Sequence, residues 1–160
     1  MAKEKGCSDD VIMNVQDLAI TVTKGSEDGS LSSEKFVRKF KACLTAEDRF
    51  SIIEYVSADD ELTDVFKSDM PIDILGELIE ALLCFHGTTQ SIVTVYRFLE
   101  HISKVQRFNL SLEFLSRVEK EDLKKLFDKV LASMQGCQQD LAEDGITEWE
   151  INSLRKLYKV

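Results

Sequence analysis

The sequence predicts an all-α domain, a compact arrangement of about seven helices, and two patterns carry that prediction. Apolar residues recur at three- and four-residue spacing along most of the chain, and nearly every such segment follows a small polar residue able to accept a first-turn N–H. Two Ser/Thr-x-x-Glu boxes, Ser116 with Glu119 and Thr147 with Glu150, strengthen the second pattern. In such a box each side chain satisfies an otherwise orphaned backbone N–H of the other residue.

Residues 1–30 read as a flexible segment with one short helix over 10–22. There Val11, Ile12, Val15, Leu18, Ala19 and Val22 recur helically, although Thr21 to Thr23 favours strand. The polar, glycine-bearing run from Lys24 to Ser30 is a loop, and the helical domain occupies residues 31–160. Ser32 or Ser33 opens the first helix, to Cys43. Thr45, with Glu47 and Asp48 in a favourable acidic first turn, opens the second, to Val56, and Ser57 opens a third, to Lys67. Pro71, the only proline, suits a first helical position, where its missing N–H would have been unpaired anyway. The helix it starts, Ile72 to Phe85, is apolar nearly all round, which marks a central, buried element.

His86 and Gly87 end that helix, and Thr88 caps the next, Gln90 to Lys104, striped by Ile92, Val95, Tyr96, Leu99 and Ile102. A short helix follows Arg107, with Phe108, Leu112 and Leu115 at helical spacing. From the Ser116 box runs a longer one, whose Leu123, Leu126, Phe127, Val130, Leu131 and Met134 share a face. Gln135 to Gly145 is a polar passage. Thr147 then opens the closing helix, whose Trp149, Ile151, Leu154, Leu157 and Tyr158 make it dock on the domain.

A compact domain near 160 residues hides about 68 to 70% of its unfolded surface, so a core needs no covalent staples. Cys7, Cys43, Cys84 and Cys137 form no Cys-x-x-Cys pair and suit free thiols in a reducing cytoplasm. No apolar run reaches membrane-spanning length, and the first residues lack a signal peptide's apolar stretch. A net charge of −9 argues against nucleic acid, whose affinity rests on clustered cations, and against anionic membranes. Arg97, Lys104, Arg107, Arg117 and Lys120 are the one local basic cluster, interleaved with acids as a solvated face would be.

Catalytic residue types are sparse. His86 precedes a helix-ending glycine, where imidazole can bond terminal carbonyls, and His101 lies off its helix's apolar stripe. The local signatures of serine hydrolases, P-loop enzymes, dinucleotide binders and zincins do not occur. Calcium loops fail position by position. With Gly29 sixth, the first and twelfth ligands fall on Lys24 and Lys35; with Gly145 sixth, the third and twelfth fall on Ala142 and Ile151. No cofactor or metal is expected, and surface recognition remains. Leu110 and Phe114 lie four apart on one face, with Arg107 a turn earlier on the same side and Arg117 just past the helix. Arg and aromatic anchors dominate interface energies, although Phe114 reads equally well as core.

Five pieces in order resemble one family. They are Phe36 to Phe40, Arg49–Phe50, Asp73 to Ile79, Arg107–Phe108 with the Ser116 box, and Ile151 to Tyr158. Together they resemble the C-terminal domain of RNA polymerase II-associated protein 3, also present in sperm-associated antigen 1 and in coiled-coil domain-containing protein 103. The resemblance spans roughly residues 33–160. The wording of Ile74 to Leu78 and of Phe108 to Arg117 is nearest to the branch that assembles and attaches dynein arms. The resemblance implies a right-handed helical stack similar to the VHS and ENTH folds. It also implies a non-enzymatic, cytoplasmic or ciliary adaptor for RuvB-like AAA+ ATPases or axonemal dynein components, with the ATPase contact on Arg107, Leu110 and Phe114. Tetratricopeptide repeats or a coiled coil accompany the domain in other members but are not seen in this sequence, so chaperone recruitment is not implied. A cargo or lipid adaptor is the alternative reading, disfavoured because residues 10–22 contain no lysine or arginine.

Overall fold

The computed structural model describes residues 32–58, 60–67 and 70–160, and all its regular elements are helical. The helix expected over residues 10–22 lies outside them. Eight α-helices lie among the described residues: α1 Ser33–Ala42, α2 Ala46–Ala58, α3 Leu75–Leu82, α4 Thr89–Ile102, α5 Phe108–Glu113, α6 Arg117–Met134, α7 Gln138–Glu143 and α8 Glu148–Leu157. A 3₁₀ turn, Asp60–Thr63, follows α2. Five expected caps open their helices, among them Thr45, whose Oγ1 accepts from Asp48 N at 3.1 Å. Ser32 Oγ accepts from Lys35 N at 3.3 Å, Thr88 Oγ1 from Ser91 N at 3.2 Å, and Ser116 and Thr147 each complete a capping box.

Helix α4 is the hub, packing against α2, α6, α7 and α8. The rings of Phe36 and Phe40 on α1 stack at 5.6 Å, and Phe36 also meets Phe66 edge-on at 5.4 Å and Phe98 of α4 at 6.3 Å. Such pairs add about 0.5–1.5 kcal/mol each to the area they bury. Arg49 locks this corner to α3: its guanidinium lies 5.0 Å from the Phe40 ring centroid, Nε donates to Phe40 O at 3.1 Å, and it pairs with Glu77 at 3.5 Å.

Three expectations are corrected here. The helix expected from Ser57 to Lys67 is the end of α2 plus the single 3₁₀ turn. Phe66 is buried in the left-handed region at φ 60°, its N–H bonded to Ser33 Oγ at 2.6 Å, while Val65 O meets His101 Nε2 at 2.6 Å. Tertiary bonds from α1 and α4 hold a backbone that costs about 1 kcal/mol or more for a residue with a Cβ. Pro71 does not begin a helix; residues 72–74 form a turn closed by Ile74 N to Pro71 O at 3.3 Å, and α3 starts at Leu75. The passage after Gln135 contains α7, whose one buried residue, Leu141, is too little to show a period.

Helix α3 is as buried as its composition predicts, with Leu75, Gly76, Leu78, Ile79, Ala81 and Leu82 inside. Its last carbonyls go not to His86, which is exposed, but to Lys129 of α6. Lys129 Nζ donates to Leu83 O at 2.7 Å and Phe85 O at 2.9 Å, and sits 4.5 Å from the Phe85 ring centroid. A cation there also opposes the negative end of the helix dipole. At the other end Gly76 touches the Glu119 carboxylate, which any Cβ at that position would overlap.

A two-faced helix at the α5–α6 corner

Helix α5 is six residues long, below the length at which an isolated helix is stable, so its neighbours must hold it. Its inner face, Phe108, Ser111 and Leu112, is buried. The chief support comes from the chain's end: the Tyr158 ring packs edge-on to Phe108 at 4.8 Å and tilts against Phe127 of α6 at 5.6 Å. The Tyr158 hydroxyl donates to Leu99 O of α4 at 2.6 Å. Complete burial pushes the Tyr158 phenol well above its ordinary range, so it stays a neutral donor. One side chain thus ties α4, α5, α6 and α8 together.

Entry to α5 is through Arg107, in the left-handed region at φ 68°, whose carbonyl accepts from Ser111 N at 2.8 Å. After the turn over Ser103–Gln106, Arg107 is at the surface and Phe108 is in the core. At the exit, Phe114 N donates to Leu110 O at 3.1 Å, which places these two residues one turn apart. Then Leu115 dips into the core and the Ser116 box starts α6, with Ser116 N to Glu119 Oε2 at 2.7 Å and Glu119 N to Ser116 Oγ at 3.2 Å.

The outer face carries Asn109 and Glu113 together with two exposed apolar residues. Leu110 is 40% exposed and Phe114 64%, so Phe114 is a surface residue and not core. Val118, in the first turn of α6, is 65% exposed and extends the series across the corner. The sequence did signal it, as an apolar residue four past Phe114 and off the buried stripe of α6. Arg107 and Arg117 are both exposed and flank Leu110 and Phe114 in sequence.

The expected basic cluster separates into parts. Lys104 pairs with Glu100 at 3.8 Å, and Arg107 lines a hollow of about 410 Å³ with Ser103, Val105, Phe108, Asn109 and Leu157. Arg117 and Lys120 instead join Lys124, Glu121 and Val160 around a groove of about 430 Å³. Lys124 reads in the sequence only as part of a solvated face; its i+7 spacing from Arg117 is what brings it in.

No group of three or more His, Cys, Asp or Glu gathers at metal-binding distance among the described residues, and none of their helices is long and apolar enough to cross a membrane. Burial, the largest influence on each, raises the Cys43 and Cys84 thiols above their usual range, so neither is an activated nucleophile. Trp149, expected to dock, is 72% exposed, because it lies about half a turn round α8 from buried Ile151.

Residues 30–120 match the family described as the potential Monad-binding region of RPAP3. Mouse dynein axonemal assembly factor 19 is 35% identical over 72 residues, a match covering 45% of this chain and 30% of that protein's length. The NMR structure of the C-terminal domain of human RPAP3 shares the fold at a TM-score of 0.53 and 16% identity, over 78% of this chain and 82% of that one.

Proposed function

The chain belongs to the RPAP3 C-terminal domain family, and from that premise we propose that it is a non-enzymatic adaptor for assembling large complexes, its working unit being residues 31–160. Its partners in this reading are RuvB-like AAA+ ATPases or axonemal dynein components, and its place is the cytoplasm, with cilia or axonemes as the destination of the assembled product. The likeness to a dynein axonemal assembly factor supports the second partner class, and the family's description adds Monad as a further candidate.

The observation that carries the reading is the outer face of α5. Leu110 and Phe114 stand exposed between Arg107 and Arg117 in sequence, on a helix whose other face is fixed in the core, and exposed Val118 follows in the first turn of α6. Natural surfaces scatter single apolar residues, but an exposed Phe beside two arginines matches the residue types enriched at protein interfaces, with Leu110 and Val118 adding apolar area. A fixed backbone also reduces the ordering cost of docking.

Calorimetry with a purified RuvB-like ATPase hexamer tests this, using the wild type, Arg107→Glu and Phe114→Ala, each checked by circular dichroism. The expected result is wild-type binding, weakened in each variant by about 2 kcal/mol, or roughly thirtyfold. Wild-type binding untouched by either substitution would move the contact to another face. No wild-type binding would remove the ATPase reading and leave dynein components as the partner to assay.

A further inference from the structure

The groove beside the α5–α6 corner has a chemistry at odds with the whole chain. The net charge is −9, yet Arg117, Lys120 and Lys124 occur at i, i+3 and i+7 on one side of α6 and line the groove against one acid, Glu121. None of the three cations is ion-paired among the described residues. A second hollow of about 140 Å³ adjoins it through Lys120 and Val160; Lys159 adds a further cation and Glu113 an acid, over the buried core residues Leu112, Leu115 and Leu123. Such a surface complements an acidic segment free of cations.

The chain contains one. Residues 9–22 hold Asp9, Asp10 and Asp17 among Val11, Ile12, Val15 and Leu18, with no lysine or arginine between Lys5 and Lys24. Residues 23–31 separate this stretch from α1 and can span about 30 Å when extended. A sphere with the radius of gyration expected for a domain this size, about 14 Å, is about 36 Å across, so the span covers most but not all of the domain's width. Within that reach a tether of this length supplies an effective concentration of order millimolar, enough to populate a weak contact.

We propose that residues 9–22 dock in cis on the Arg117–Lys120–Lys124 groove and compete there with the protein partner. The proposal rests on the α5–α6 corner being the partner face. Docking in cis makes the adaptor self-limiting: a partner must displace an acidic segment before it reaches Phe114.

The test uses the whole chain. Backbone amide spectra are compared for the wild type and an Asp9→Lys/Asp10→Lys/Asp17→Lys variant. The expected result is altered amides at Arg117, Lys120 and Lys124, identical in dilute and concentrated samples. Lys120→Glu/Lys124→Glu should perturb residues 9–22 reciprocally, and the five-site combination should restore the wild-type positions. Changes confined to residues 9–22 in the triple variant would overturn the proposal. Concentration-dependent changes would overturn its cis form and assign the contact to a second copy.

Partner affinity separates this idea from the reading beneath it. The triple variant should bind the ATPase at least threefold tighter than wild type. If Phe114→Ala abolishes partner binding while the groove amides stay silent, the cis contact falls and the corner stands. If the groove amides respond but Phe114→Ala leaves partner binding intact, the corner falls as partner face and the competition falls with it.

Discussion

Helices α3 and α5 are both short and both apolar on more than one side, yet they do opposite work. Helix α3 is covered by α2 and α6, its C-terminal carbonyls are taken by Lys129, and Gly76 brings Glu119 against its backbone. Helix α5 is covered on one side only, by Tyr158, and presents Leu110 and Phe114 outward. Apolar character therefore marks packing in one helix and recognition in the other, and the neighbours decide which. Where a side chain has partners, its removal unfolds the domain; where it has none, its removal should be felt only by another molecule.

The largest expected effect tests the covered helix. Leu78→Ala removes a buried α3 side chain and should cost about 2–5 kcal/mol by urea denaturation. Gly76→Ala should cost about 1 kcal/mol, because the new methyl evicts the Glu119 carboxylate from its bond to Ser116 N. In a Glu119→Ala background the same change should turn favourable by about 0.8 kcal/mol, the bare helix preference of Ala over Gly. A cost that persists there would place the conflict elsewhere in the α3–α6 seam.

On α5, Ser111 is buried and its hydroxyl has no hydrogen-bond partner among the described residues. Ser111→Ala should therefore raise stability by about 1 kcal/mol, and a loss instead would mean that the hydroxyl is satisfied in solution. The smallest stability effect belongs to Phe114→Ala, within about 0.5 kcal/mol of wild type. A larger cost would show Phe114 to be packing after all and would erase the contrast between the helices.

Much of this was legible in the sequence because its signals are local. Ser32, Thr88, Ser116 and Thr147 act within one turn, so the starts of α1, α4, α6 and α8 follow from residue type and spacing. What escaped was set across the fold. Phe66 adopts its left-handed turn because Ser33 and His101 bond its neighbourhood, and nothing within residues 57–67 announces either partner. The site divides the same way. The i, i+4 spacing marked Leu110 and Phe114 as one face. Their exposure depends on where α6 and Tyr158 sit, whereas the i, i+7 spacing of Arg117 and Lys124 within α6 was there to be read.

Trp149 is the chain's sole tryptophan, and it stands in solvent on the side of α8 away from the core. Its indole meets nearly the same surroundings in the native and unfolded chain, so emission should hardly change across a denaturation curve. Unfolding is better followed by helical ellipticity. The same residue becomes a clean optical sensor for association: a blue shift or quenching on mixing with a partner would report contact at α8, uncontaminated by any folding signal.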